Sequence, residues 1–186
     1  MPVDKKALAF FYGTRVIIWD IEDARRIWSL GYFGKPMGIP KPKTPDFDSP
    51  LLLDLLEAFY LYEKNHISIV DEKGSPIPSE RLIRLCRRSY TGFDEKYLVY
   101  KDLRDRGLVV LSGLKFGVDF AVYKTGPGLE HAPYLIDVVS QDYLLSGDDL
   151  IRAGRLATTV RKRFILAVPN LVDKKVRYIM FSWWRP

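Results

Sequence analysis

The sequence predicts an α/β protein built from two modules of about 90 residues each. Three observations support this. The 186 residues are 47% hydrophobic and 28% charged, the balance of a chain that buries a core, and this length suits one medium domain or two small ones. Short β-rich apolar runs alternate with helical patterns in both halves. The texture of the chain also changes near residue 90, which divides it into modules 1–89 and 90–186.

In the first module, residues 7–11 and 15–19 are apolar runs separated by Tyr12-Gly13-Thr14, a hairpin signal. Asp20 is placed to cap the helix that follows, and Gly31 to stop it after Leu30. Residues 31–50 hold Pro36, Pro40, Pro42, Pro45 and Pro50 with Gly31, Gly34 and Gly38, so little regular structure is expected there. Ser49-Pro50 then reads as a helix start, with proline at the first helical position. Leu51, Leu52, Leu55, Leu56, Phe59 and Tyr60 would form the apolar face of that helix, expected over residues 51–64. Residues 67–70 read as a strand and 79–88 as a short basic helix.

In the second module, Asp94 is expected to cap a helix running to Arg106 and closed by Gly107. Strands are expected at 108–111, 116–123 and 136–139, with turns at Gly113 and Gly126-Pro127-Gly128. Ser146 and Asp149 have capping-box spacing for a helix through Arg163. Strands at 164–168 and 176–182 complete the module.

Cys86 is the single cysteine, so no intrachain disulfide forms, and two histidines cannot build a Cys/His zinc site. No motif points to a cofactor. No stretch approaches the roughly 18 uncharged apolar residues of a membrane span, and the apolar run at 7–12 is too short for a secretory leader. The expectation is a cytoplasmic chain in a reducing compartment, with no membrane partner.

The formal net charge of +6 favours an anionic partner. Residues 1–89 carry 14 basic and 12 acidic side chains, and residues 90–186 carry 15 and 11. Within residues 151–166, Arg152, Arg155, Arg161, Lys162 and Arg163 have no acidic neighbour. On a continuous helix, Ala153, Leu156, Ala157, Val160 and Phe164 make the buried stripe. Arg155 and Lys162, seven apart, then point the same way about 10 Å from each other. Such a face is either solvated or grips phosphate.

His131 follows the Gly126-Pro127-Gly128 turn, on a loop open to solvent and substrate. His66 ends a helix and is assigned no chemistry. Tyr123, His131 and Lys162 together have one defined use. RNA cleavage by its own 2′-hydroxyl needs a group to take that proton, an acid for the 5′-oxygen, and a cation for the pentavalent phosphate. The nucleophile is already tethered beside phosphorus. Spacing alone does not bring the three side chains together.

Four blocks in order carry a closer likeness. Tyr97-Leu98-Val99-Tyr100-Lys101-Asp102-Leu103-Arg104-Asp105-Arg106-Gly107 resembles the start of the catalytic domain of archaeal tRNA-splicing endonucleases. Gly113-Leu114-Lys115-Phe116-Gly117-Val118-Asp119-Phe120-Ala121-Val122-Tyr123 is similar to their next block. The segment from Gly126-Pro127 through His131-Ala132 to Tyr134-Leu135 is similar to the third. Arg155-Leu156-Ala157-Thr158-Thr159-Val160-Arg161-Lys162 is similar to the helix block. The first half of the chain resembles the family only in pattern.

The resemblance implies a small α/β N-terminal domain and a restriction-endonuclease-like α/β catalytic domain. It implies metal-independent excision of introns from precursor tRNA at bulge-helix-bulge junctions, leaving 2′,3′-cyclic phosphate and 5′-hydroxyl ends. By position, Tyr123 corresponds to the general base, His131 to the general acid and Lys162 to the transition-state cation. Arg155 and Arg185 correspond to the arginines that sandwich a flipped bulge base. The segment 31–50 resembles the extra basic loop of crenarchaeal-type enzymes, with Lys35, Lys41 and Lys43 as its RNA-contacting cations; the alternative is a proline-rich surface connector. That loop would imply an α2β2 heterotetramer with a structural subunit lacking the triad. The apolar segment 176–184 would add an edge strand against a neighbouring subunit. Asp142 and Gly147-Asp148-Asp149 resemble an acidic loop inserted across the assembly, or Asp149 merely caps its helix.

The sequence also admits two other readings. A metal-dependent DNA nuclease or resolvase on the same fold needs an acidic residue followed by a Glu/Asp-x-Lys unit, whereas the corresponding strand reads Asp137-Val138-Val139. A non-catalytic RNA-binding subunit would be expected to lack one or more of the three candidate catalytic residues.

Overall fold

A computed structural model describes residues 5–129, 133–159 and 162–181. The chain divides into two compact units, Met1–Phe93 and Asp94–Pro186. Each builds its own five-stranded sheet among the described residues.

The first unit begins with the expected hairpin. β1 (Ala7–Tyr12) pairs with β2 (Arg15–Ile18) in the register Phe10↔Ile17, Phe11↔Val16 and Tyr12↔Arg15. Asp20 Oδ1 accepts the Asp23 backbone N–H at 2.8 Å and starts α1 (Ile21–Ser29), which ends ahead of Gly31. The proline-rich segment contributes one short strand, β3 (Lys35–Pro36). It lies against β4 (Leu51–Leu53), which in turn pairs with β2.

The helix expected from Pro50 is therefore displaced. Leu51, Leu52 and Leu53 form a strand, with Leu51 and Leu53 buried and Leu52 half-buried. The helix, α2 (Leu55–Glu63), starts only after Asp54. Asp54 and Glu57 form a complete capping box: Glu57 N–H donates to Asp54 Oδ1 at 2.8 Å, and Asp54 N–H donates to Glu57 Oε2 at 3.0 Å. Every residue from Leu55 to Leu61 is buried. A helix buried on all sides has no polar face to mark its first turn, so the leucine run extends its apparent period into the preceding strand.

β5 (Ile67–Val70) runs parallel to β1, and α3 (Ser79–Ser89) follows as expected. The sheet order is β3-β4-β2-β1-β5.

The second unit opens with α4 (Phe93–Asp105). Asp94 lies in its first turn rather than at its cap, where the carboxylate still faces the positive end of the helix dipole. The strands are β6 (Val109–Ser112), β7 (Phe120–Tyr123), β8 (Tyr134–Val138), β9 (Arg163–Asn170) and β10 (Lys175–Phe181), in the order β10-β9-β8-β7-β6. Only β8 and β9 are parallel among them, and α5 (Gly147–Thr159) forms the connection between that pair.

The strand expected over 116–123 is shorter because a 3-10 turn, Leu114–Phe116, occupies its start. That turn is built on Gly113, whose N–H donates to the Asp119 carbonyl at 2.9 Å. A Cβ at Gly113 would lie 2.8 Å from both the Phe120 carbonyl carbon and the Val118 oxygen, so only glycine admits this approach.

The sheet is covered on both faces. Ala121, Leu135, Phe164 and Leu166 meet Ala153 of α5 in one buried cluster. On the other face, Tyr100 of α4 lies 6.0 Å, ring to ring, from Phe120. Arg104, 7% exposed, donates to Tyr100 Oη at 2.9 Å and to the Val110 carbonyl at 3.0 Å, which satisfies a charge that would otherwise be costly to bury. Among the described residues no helix is long and apolar enough to cross a membrane.

Candidate active site

Sheet register brings Tyr123 and Lys162 together. Val122 stands opposite Tyr134 on β8, and Tyr134 stands opposite Arg163 on β9. Extended one residue past these pairs, the register aligns Tyr123 with Pro133 and Lys162, which lie just outside β8 and β9; there Arg163 N–H donates to the Pro133 carbonyl at 2.9 Å. Neighbouring strands are separated by about 4.8 Å, so the two backbones are about 10 Å apart. Strand alternation places Tyr123 on the face of Ala121 and Lys162 on the face of Phe164. Both of those residues belong to the cluster beneath α5. The two candidate side chains therefore share one face at one end of one sheet.

Lys162 is not on the helix. α5 ends at Thr159, and Lys162 lies in the link into β9. The expectation that Arg155 and Lys162 stand two turns apart on one helical face is thereby corrected: the chain must leave α5 to enter the strand that pairs with β8. Phe164, expected on the helix stripe, is likewise a β9 residue, buried through the sheet. Ala153 does belong to the buried side of α5, and Arg155 is exposed on that helix.

The Lys162 ammonium lies over the Phe116 ring, 4.6 Å from its centroid. Phe116 and Tyr123 both pack, half-buried, against the cluster of Val118, Ala121, Leu135, Ala153, Phe164 and Leu166. Lys162 is half-buried itself. Burial, and then the nearby charge of Lys115, hold its ammonium below the ordinary lysine range. A phenolic hydroxyl and a partly desolvated cation on one face can hold a phosphate and stabilise added negative charge on it.

The loop that carries these groups is tied to the sheet. Asp119 Oδ1 pairs with Lys96 Nζ of α4 at 2.7 Å, and Asp119 Oδ2 accepts the Val138 N–H at 2.9 Å. Asp119 is thus a structural tether between β7, α4 and β8. Among the described residues, no group of three or more His, Cys, Asp or Glu side chains is arranged to hold a metal ion.

His131 and Arg185 lie outside the described residues, as does the end of the apolar segment from Ser182 onward. Lys35, Lys41 and Lys43 are all exposed. Their segment is anchored at both ends. Gly34 N–H donates to Glu57 Oε1 at 2.9 Å, and a Cβ on Gly34 would lie 2.9 Å from the Leu52 carbonyl oxygen. At the other end Phe47 is buried edge-on against Trp28, 6.0 Å between rings, and its carbonyl accepts Arg25 Nε–H at 3.0 Å. Asp149 and Ser146 form the capping box: Ser146 N–H donates to Asp149 Oδ2 at 2.9 Å and Asp149 N–H to Ser146 Oγ at 3.2 Å.

Sequence reasoning assigned no role to Lys115 or Phe116. The signal was present in Gly113-Leu114-Lys115-Phe116-Gly117, where flanking glycines announce a tight turn that must present its three central side chains to something.

The chain is similar to known proteins over most of its length. Residues 93–178 match the family described as tRNA intron endonuclease, catalytic C-terminal domain, and residues 7–83 match its N-terminal domain. A tRNA-splicing endonuclease of Hyperthermus butylicus is 48% identical over 178 residues, 96% of this chain and 98% of its own length. One from Sulfurisphaera tokodaii is 44% identical over 170 residues, covering 91% and 94%. One from Saccharolobus islandicus is 43% identical over 176 residues, covering 94% and 97%.

Proposed function

The chain belongs to the tRNA-splicing endonuclease family, and from that membership we propose that it excises introns from precursor tRNA at bulge-helix-bulge junctions by metal-independent transesterification. The observation that supports this chemistry most directly is that Tyr123 and Phe116 pack against one cluster at one end of the sheet, with Lys162 seated on Phe116.

In this reading Tyr123 takes the proton of the 2′-hydroxyl at the cleavage site. The 2′-oxygen forms a bond to phosphorus, and the developing negative charge on the non-bridging oxygens is met by Lys162. The bond from phosphorus to the 5′-oxygen breaks, and His131, two residues upstream of Pro133 in the sequence, gives that oxygen a proton. The products are a 2′,3′-cyclic phosphate and a 5′-hydroxyl.

Residues 90–186 are the catalytic nuclease domain in this proposal and residues 1–89 the N-terminal domain. Arg155 and Arg185 stack on a flipped bulge base, where a planar guanidinium serves better than an ammonium. Lys35, Lys41 and Lys43 contact RNA from the proline-rich loop. The chain assembles as the catalytic half of an α2β2 heterotetramer with a structural subunit that lacks the triad. β10, the edge strand of its sheet among the described residues, with Ile179 51% and Met180 52% exposed, offers an edge for that assembly.

The test uses purified protein, alone and with a candidate second subunit, on a bulge-helix-bulge RNA in EDTA, with product ends analysed. Cyclic-phosphate ends only in the mixture support both the chemistry and the heteromer. The same ends from the chain alone keep the chemistry and replace the heteromer with a homo-oligomer. Cleavage that appears only after Mg²⁺ is added overturns the reading in favour of a metal-dependent nuclease, and no cleavage under either condition leaves an RNA-binding subunit.

A further inference from the structure

We propose that Lys115 is a second phosphate-contacting residue of this site, acting with Lys162 on the phosphodiester that is cleaved. The inference rests on the reading of Lys162 given above and goes beyond the three residues of that reading.

Two ammonium groups lie over one phenyl ring. Lys115 Nζ is 4.9 Å from the Phe116 centroid and Lys162 Nζ is 4.6 Å from it. The chain reaches this arrangement from two directions, since Lys115 sits on the 3-10 turn ahead of β7 and Lys162 on the link into β9. The ring itself is held, packed against the cluster beneath α5. The turn is held as well: Phe116 N–H donates to the Gly113 carbonyl at 2.8 Å, and Gly117 N–H donates to the Leu114 carbonyl at 3.0 Å. Its far end is tethered through Asp119 to Lys96 and to Val138.

Holding two like charges at one ring is unfavourable. The quadrupole of a phenyl ring attracts each cation but does not remove their repulsion for one another. Lys115 is exposed and has no carboxylate partner among the described residues, and its charge is one of the two causes that depress the Lys162 ammonium. A bound anion turns that repulsion into attraction for both groups. A phosphodiester suits the pair because its charge is shared by two non-bridging oxygens, which can accept from more than one ammonium. The negative charge on those oxygens grows as the 2′-oxygen adds to phosphorus, so both cations hold the transition state more tightly than the ground state.

The experiment compares the assembled enzyme carrying Lys115→Met, Lys115→Arg or Lys162→Met with the unaltered enzyme on the same bulge-helix-bulge RNA. Single-turnover cleavage at saturating enzyme and the salt dependence of RNA affinity are the readouts. Lys115→Met is expected to slow cleavage by about 10-fold or more, and to reduce the slope of log affinity against log salt by about one. Lys115→Arg is expected to restore most of both. Because the side chain is exposed, the melting temperature should not move; should Lys115→Met misfold, Lys115→Gln carries the same expectation. A wild-type rate and slope in Lys115→Met overturn the proposal. A reduced slope with an unchanged saturated rate also overturns it, since the cation would then touch a neighbouring phosphate. Lys162→Met separates the two layers: if it cleaves normally, the reading of Lys162 fails; if it is defective while Lys115→Met is not, only the proposal for Lys115 fails.

Discussion

Two charged side chains, one from each unit, sit in opposite surroundings. In the first, Glu57 is 8% exposed and both of its carboxylate oxygens accept backbone N–H groups, from Asp54 and from Gly34. One side chain caps α2 and anchors the proline-rich segment, and the charge is well solvated by the fold. In the second, Lys162 is partly buried over an aromatic ring with another lysine at the same ring. The first arrangement satisfies its charge with backbone donors of the fold; the second sets two like charges near one another, a repulsion that an anion would relieve. Two cations gathered at one ring at the end of one sheet make a candidate anion site.

The comparison breaks first at Lys162. Lys162→Met should lower single-turnover cleavage by about 10²–10³-fold, the cost of losing one oxyanion stabiliser, while the melting temperature changes little because the side chain is only half-buried. A large drop in melting temperature would place Lys162 among the structural charges instead.

Glu57→Ala is the mirror experiment. It removes the N-cap partner and leaves the Gly34 N–H without its acceptor, at a cost of about 2–3 kcal/mol in stability. Denaturant unfolding should show the loss. A variant as stable as the unaltered protein would mean that water replaces the carboxylate fully at both positions.

Cys86 sharpens the contrast through pH. Burial on α3 pushes its thiol from 9.0 up to about 12, so between these values the unfolded chain has lost a proton that the native one keeps. Stability from this group is complete below pH 9 and falls as pH rises toward 12, by about 1.4 kcal/mol at pH 10. Alkylation of Cys86 at pH 8 should be negligible in the native protein and rapid in denaturant; rapid native labelling would show that α3 opens locally.

The smallest expected effect is Tyr178→Phe. Tyr178 Oη–H donates to Asp102 Oδ2 at 2.7 Å, linking edge strand β10 to α4, and Arg106 grips the same carboxylate at 2.9 and 3.1 Å. Burial first, and then Asp102, hold the phenol well above its ordinary range. Losing the hydroxyl should cost about 1 kcal/mol, a few degrees in melting temperature, because Arg106 still satisfies Asp102.

The turns and caps were legible because their causes are local. The Tyr12-Gly13-Thr14 hairpin, the Asp20 cap and the Ser146–Asp149 box each depend on residues within four positions of one another. Leu51–Leu53 was misread because its leucines fit a helical period as well as a strand, and its pairing with Val16, Ile17 and Ile18 settles the matter from 35 positions away. The start of β7 was misread for a similar reason: Phe116 looks like a strand residue until Gly113 closes the turn beneath it.

By itself the sequence determined the class, two α/β modules, and through its motif blocks the family and the candidate residues Tyr123, His131 and Lys162. Apolar periodicity, caps and motif order are properties of neighbours along the chain, and they survive without any knowledge of the fold. Only the tertiary structure decided that Lys162 lies past α5 at the entry to β9, that it sits over Phe116 beside the cluster that Tyr123 also packs against, and that Lys115 joins it at that ring. Those relations depend on the register of three strands distant in sequence and on one shared hydrophobic cluster, which no local pattern encodes.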